Sequence, residues 1–159
     1  LDDLIFRRAM GKFATGVTVV TVKTEQGIHG MTANAFMSVS LNPKLVTISI
    51  DNKARMREKI HESKKFAISF LSEDQLDISM HFAGQKKSPK EIEFENMEEL
   101  PVIKEALANV ACELYQSIVV GDHTLFVGKV IDLKMREGNP LTFFGGKYGS
   151  YQAMDYVIN

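Results

Sequence analysis

Two long alternating runs, about Asn109 to Val120 and His123 to Met135, constrain the fold of this chain more than anything else in it. Both are rich in β-branched and apolar residues, and Gly121-Asp122 between them is a turn signal that closes a hairpin. Strands of that length need further partners, and shorter runs supply them: Val17 to Lys23, Leu45 to Ile50, Phe66 to Leu71 and Leu141 to Phe144. Helical patterns are fewer. Asp2 and Asp3 can cap a short helix with Ile5, Ala9 and Phe13 on one side, ended by Gly16. Asp51 or Asn52 can cap a second through about Ser63, with Met56 and Ile60 inward, and Glu73 to Phe82 reads as a third that stops at Gly84. Gln85 to Glu99 reads as a charged surface excursion in which Ile92, Phe94 and Met97 stand isolated, with room for a short helix after Pro101. Many short strands and few helices predict a mainly β fold, an antiparallel sheet curled into a barrel. Neither β-α-β alternation nor a Gly-x-Gly-x-x-Gly fingerprint is present, which argues against a Rossmann fold.

The 159 residues fit one domain, 1–159, with 45% hydrophobic and 25% charged residues. A net charge of −1 argues against nucleic acid or an anionic membrane as the main partner. No apolar run approaches the roughly 18 residues of a membrane-spanning helix, and no signal-peptide pattern opens the sequence. Cys112 has no intrachain disulfide partner and sits in an apolar run, so a buried structural thiol in a reducing, cytoplasmic setting is expected.

The chemistry begins at Gly30-Met-Thr-Ala-Asn-Ala-Phe-Met-Ser-Val-Ser-Leu-Asn-Pro43. Thr32, Ala33, Asn34, Ala35, Ser38 and Ser40 place small, hydroxyl or amide side chains where a buried strand carries bulk. Such a strand lets a planar, heteroatom-rich ligand such as a flavin reach its backbone. The same residues also describe an ordinary strand end running into a Ser/Asn/Pro turn. A second stretch, Asn52-Lys53-Ala54-Arg55, opens the second helix, where free N–H groups and two cationic side chains favour an anion; a solvated helix start has the same composition. Other chemistries fit poorly. His29, His61, His81, His123 and Cys112 lack metal-ligand spacing, Gly145-Gly146-Lys147-Tyr148 is no phosphate loop, and no Gly-x-Ser-x-Gly nucleophile elbow occurs.

Five motifs in order carry a resemblance: Phe6 to Val20, the Gly30–Pro43 stretch, Phe82-Ala83-Gly84, Gly121-Asp122-His123 with Thr124 to Val130, and Pro140 to Tyr148. Together they resemble the short-chain flavin reductases, NAD(P)H:flavin oxidoreductases that feed two-component aromatic monooxygenases. The likeness spans nearly the whole chain and is strongest to the FAD-carrying reductase components of bacterial phenol hydroxylases. It implies a homodimeric, Greek-key-like split β-barrel of the FMN-binding type, with flavin sites at the dimer interface. It implies FAD, with FMN the alternative, and NADH as cofactors, and a separate oxygenase served by diffusing reduced flavin.

The resemblance also assigns residues. The isoalloxazine would lie on Thr32, Ala33, Asn34 and Ala35, with Ser38 and Ser40 along the same wall. The phosphates would sit at Asn52, Lys53, Ala54 and Arg55; Ala54 stands where many relatives carry a hydroxyl, which shifts the load to backbone, Lys53 and Arg55. His81, Phe82, Ala83 and Gly84 would meet the rest of the dinucleotide, though a plain helix cap at Gly84 looks the same. His123 would position the nicotinamide, and Tyr148 would help to close its site. A non-enzymatic flavin-binding barrel is the alternative, and retention of Gly121-Asp122-His123 argues for the enzyme. A heme- or pyridoxamine-phosphate-type barrel would need other ligand residues.

Overall fold

The computed structural model describes residues 1–156 and 158. In chain order the elements are α1 (Asp3–Met10), β1 (Thr15–Gly16), β2 (Thr18–Thr24), β3 (Gly27–Ala33), β4 (Phe36–Leu41), β5 (Lys44–Asp51), α2 (Arg55–Ser63), β6 (Lys65–Phe70) and α3 (Leu76–Phe82). There follow β7 (Phe94–Met97), β8 (Leu100–Ile103), β9 (Ala108–Val120), β10 (His123–Met135), β11 (Leu141–Phe144) and β12 (Lys147–Ser150).

Seven strands form one antiparallel sheet in the order β3-β2-β6-β9-β10-β5-β4. Its two outer edges, β3 and β4, are consecutive in the chain and separated only by Asn34-Ala35. So short a link spans about 10 Å, and the sheet must roll until its edges approach at that end. Among the described residues no ladder joins β3 to β4, so the barrel stays split. The neighbours β2–β6 and β5–β10 are far apart in sequence, which gives the path its Greek-key character.

Apolar side chains of both faces of β2 are buried, because each face meets a different core. Val20 and Val22 point into the barrel with Ile48, Ile50, Phe66, Ile68 and Phe126, and α2 plugs that core with Met56 and Ile60. Val19 faces the other way, joining Leu71, Ile103 and Leu141. The long hairpin forms with the predicted turn: His123 pairs with Val120, and Gly121 takes φ +61°. Gly128 lets β9 and β10 close up, since a Cβ there would lie 2.7 Å from both Cys112 Cβ and Phe66 Cζ.

Several local expectations are corrected. Asp2 caps α1, its Oδ1 accepting from the N–H groups of Leu4 (2.7 Å) and Ile5 (3.2 Å), but the helix stops at Met10 rather than Gly16. No residue of α1 is buried, and Ile5 and Phe13 are 61% and 79% exposed, so no packing extends it. Neither Asp51 nor Asn52 caps α2. Its N-cap is Ala54, and the Asp51 carboxylate instead accepts from the N–H of Lys53 at 2.8 Å. The excursion before Pro101 holds a hairpin, β7–β8, and the residues around Pro101 are strand rather than helix. All four residues of β8 are buried, and β8 covers Ala67 and Ala111. The Gly- and Tyr-rich tail contributes one more strand, β12, paired with β11.

Candidate functional site

Where the sheet edges meet, Asn34-Ala35 leaves both ladders. The carbonyl of Asn34 accepts from Phe36 N–H at 3.0 Å, and that of Ala35 from Ser49 N–H at 3.2 Å. Two hydroxyls pin the strand just before the break: Thr18 Oγ1 donates to the Ala33 carbonyl at 2.6 Å, and Thr32 Oγ1 to the Ser79 carbonyl at 2.7 Å. Cavities flank the break. One of about 180 Å³ is walled by Thr32, Ala33, Asn34, Ala83, Gln85 and Tyr148, among others. Another, about 670 Å³ and mostly apolar, meets the break at Asn34 and Ala35 and continues over Phe36, Phe13 and Leu107. Small side chains at the break therefore leave backbone and open space together.

Gly30 fixes what stands beside this strand. A Cβ on it would lie 2.6 Å from Phe82 Cε1, so the missing side chain is the seat of the Phe82 ring. That seat and the Thr32–Ser79 bond dock α3 on β3 and bring Ala83 to the small cavity. Tyr148, carried by β12, lines the same cavity and stacks edge-on against Phe143 with centroids 5.2 Å apart.

The other expected residues are distributed around this centre. Arg55 opens α2 and lines a cleft of about 360 Å³ with Gly30, Met31, His29 and Lys59, on the β3 side of the break. The side chain of Asn52 is occupied structurally: its Oδ1 accepts from Thr124 Oγ1 at 2.6 Å, and its backbone N–H donates to Asp122 at 2.9 Å. Lys53 and Ala54 form the turn between Asn52 and the helix. Arg57 Nε donates to Thr124 Oγ1 at 3.1 Å, so the start of α2 and the β9–β10 turn are tied into one corner.

His123 stands at that corner, paired with Asp51. Ala35 lies beyond the next strand spacing, so His123 is about 10 Å to the side of the break. Its ring is part-exposed, with Nδ1 2.8 Å from Asp122 Oδ1. The hydrogen bond with His123, reinforced by its charge, holds the Asp122 carboxyl below the usual carboxylate range. Asp122 is thus an orienting partner for the imidazole.

The structure does not gather every expected residue. His81 and Phe82 line a separate depression of about 480 Å³ with Lys87 and Ile92, and His81 Nδ1 accepts from Ser88 N–H at 3.1 Å. Gly84, at φ +71°, terminates α3 as a left-handed cap residue. Ser38 and Ser40 lie along β4, about 13 and 20 Å of strand beyond Asn34, and line none of these cavities. The sequence pattern missed Ser79, Gln85 and Phe143, whose only signal is being brought together by the fold.

Among the described residues no group of His, Cys, Asp and Glu is placed to hold a metal ion. Cys112 is buried, and that burial pushes its thiol up to about 12, so it is no nucleophile. No helix among the described residues is long and apolar enough to cross a membrane.

Residues 10–152 match the model of the flavin reductase like domain, and the chain belongs to that family. It is 44% identical over 157 residues to an NADH-dependent flavin reductase of Rhodococcus sp., covering 97% of this chain and 89% of the relative. It is 37% identical over 144 residues, 90% of this chain and 93% of the relative, to the reductase component of a Thermus thermophilus 4-hydroxyphenylacetate 3-monooxygenase. Among solved structures, the flavin reductase PheA2 in its native state superimposes with a TM-score of 0.93 at 56% identity, covering 96% of this chain and all of that one.

Proposed function

We propose that this protein is an NADH:flavin oxidoreductase that reduces FAD, with FMN as the alternative flavin, and supplies it to a separate aromatic, phenol-type monooxygenase. The observation that carries this reading is the Asn34-Ala35 break, a strip of small residues between a small cavity of mixed polar and apolar lining and a larger, mostly apolar one. The residues fit a flavin. Thr32 to Ala35 offer backbone and short polar groups to its heteroatom-bearing edge, and the larger cavity offers an apolar wall. Lys53 and Arg55, beside the uncapped start of α2, provide positive charge for its phosphates.

Flavin and nicotinamide supply the hydride chemistry when bound, so the chain has to bind, orient and exclude water. In this reading His123, oriented by Asp122, positions the nicotinamide nucleotide, and Tyr148 closes one wall of its site. Ala83 contributes to that wall, while His81, Phe82 and Gly84 border the path of the remaining dinucleotide. Ser38 and Ser40 extend the β4 wall beyond the ring.

The assembly we propose is a homodimer working in the cytoplasm, with reduced flavin reaching the oxygenase by diffusion. Exposed apolar residues support a subunit interface: Leu4, Ile5, Phe6, Met10 and Phe13 around α1, and Tyr115, Ile118, Val119 and Val120 on β9. Sedimentation as a monomer with flavin bound would remove this interface. The reading as a whole is tested by an absorbance spectrum of flavin-loaded protein before and after anaerobic NADH. Bleaching of the flavin band is expected; bound flavin that NADH leaves oxidised would make the protein a flavin carrier.

A further inference from the structure

Ser79 occupies an unusual position for a hydroxyl: it is fully buried in the middle of α3, yet its carbonyl and its hydroxyl both bond to residues that line the site. Its carbonyl accepts from Ala83 N–H at 3.0 Å within the helix end and from Thr32 Oγ1 at 2.7 Å. Its hydroxyl lies 2.8 Å from the Tyr148 hydroxyl. The Tyr148 hydroxyl has a second, longer bond, donating to Gln85 Oε1 at 3.4 Å. A phenol has one proton; given to Gln85, it leaves the oxygen lone pairs to accept from Ser79. One buried residue therefore holds the strand before the break and the aromatic wall opposite it.

We infer that Ser79 is a positioning residue that fixes the Tyr148 ring relative to Thr32–Asn34, and so sets how closely a nicotinamide packs on the flavin. This rests on the flavin reductase reading above. Tyr148 reaches the site at the end of a short hairpin, where the turn residues Gly145 and Gly146 both have positive φ, so its own strand is a weak constraint. Phe143 braces one edge of the ring, but only the hydroxyl bonds fix its tip. Because hydride transfer depends steeply on donor–acceptor approach, a loosened wall slows reduction without releasing flavin.

The test is a double-mutant cycle of Ser79→Ala and Tyr148→Phe, read by stopped-flow reduction of flavin-saturated protein by NADH. Each single variant should lose roughly two- to tenfold in kcat/KM, the worth of one net hydrogen bond. The double variant should lose no more than the worse single one, since both changes break the same bond. Flavin affinity and reduction by dithionite should stay at wild-type values. Wild-type reduction in folded Ser79→Ala, or losses that multiply in the double variant, would overturn the inference. If Ser79→Ala does not fold, Ser79→Cys, near in size and a much weaker hydrogen-bonding group, takes its place in the same cycle, and multiplying losses there overturn the inference too. Wild-type protein that binds no flavin would sink the functional reading itself, whereas wild-type turnover with an indifferent Ser79→Ala sinks only the role of Ser79.

Discussion

The barrel interior and the rim at the Asn34-Ala35 break are built from opposite materials. The interior, from Val20 and Ile48 to Phe66 and Phe126, is a cluster of packed apolar side chains, and its strands approach so closely that Gly128 has no room for a methyl. The rim is held by single hydroxyls reaching across the fold: Thr18 to Ala33, Thr32 to Ser79, Ser79 to Tyr148. Packing of the first kind is non-directional and sums over many contacts, whereas each rim bond is directional and contributes only about 0.5–1.5 kcal/mol net. A chain built this way is stabilised in one place and tuned in another, and changes to the two regions should separate stability from chemistry.

The largest expected effect concerns access to the interior. Burial pushes the Cys112 thiol up to about 12, which keeps it protonated and poorly reactive at pH 8. An exposed-thiol reagent should therefore leave the native protein unlabelled for hours and label it rapidly in denaturant. Fast native labelling would show that the core opens readily, and the contrast with the rim would collapse.

Gly128→Ala comes next. The new methyl meets Cys112 and Phe66 at 2.7 Å, and overpacking of this kind costs about 1–3 kcal/mol. Chemical denaturation should show that loss, while NADH reduction of the folded, flavin-saturated variant stays near wild type. Rim changes should do the reverse. Arg55→Ala should weaken flavin binding about ten- to a hundredfold through one charge-assisted bond, with an unfolding midpoint close to wild type in the absence of flavin. A titration of apoprotein giving unchanged affinity would take Arg55 out of the site.

His123→Ala should leave the bound-flavin spectrum nearly intact and lower kcat/KM for NADH by up to about tenfold, more if the rings are misplaced. Dithionite reduction should be spared, and wild-type reduction by NADH would reduce His123 to a strand-start residue. The smallest effect lies between the regions, at His61, which packs edge-on against Phe126 with centroids 5.1 Å apart. Burial, then the charges of Arg57 and Lys64, lower its imidazole from the ordinary 6.5. The folded state then binds fewer protons than the unfolded one, so stability should fall as pH drops through 6.5 toward the lowered value. His61→Gln should flatten that slope slightly in thermal melts across pH 5–7, and an unchanged slope would assign the acid sensitivity elsewhere.

Legibility in the sequence follows the same divide. The long hairpin, the inward Met56 and Ile60, the Asp2 cap and the turn at Gly121 were readable because each depends on neighbours a few residues away. The β7–β8 hairpin was not readable. Its turn places Glu98 and Glu99 at φ +51° and +66°, where Asn-Gly would have announced it. The end of α1 is not legible because its apolar stripe promises a core contact that the fold does not provide.

At the site, the small residues from Thr32 to Ala35 and the Gly-Asp-His turn stand out in the sequence, but their assembly does not. Local periodicity determined the strands, since side-chain alternation and turn chemistry act over a few residues. Only the tertiary structure decided that the two sheet edges meet at Asn34-Ala35 and that His123 lies two strands away. It alone set Ser79 between Thr32 and Tyr148, partners 47 and 69 residues distant, because a hydrogen bond across such spans exists only once the sheet has rolled and α3 has docked.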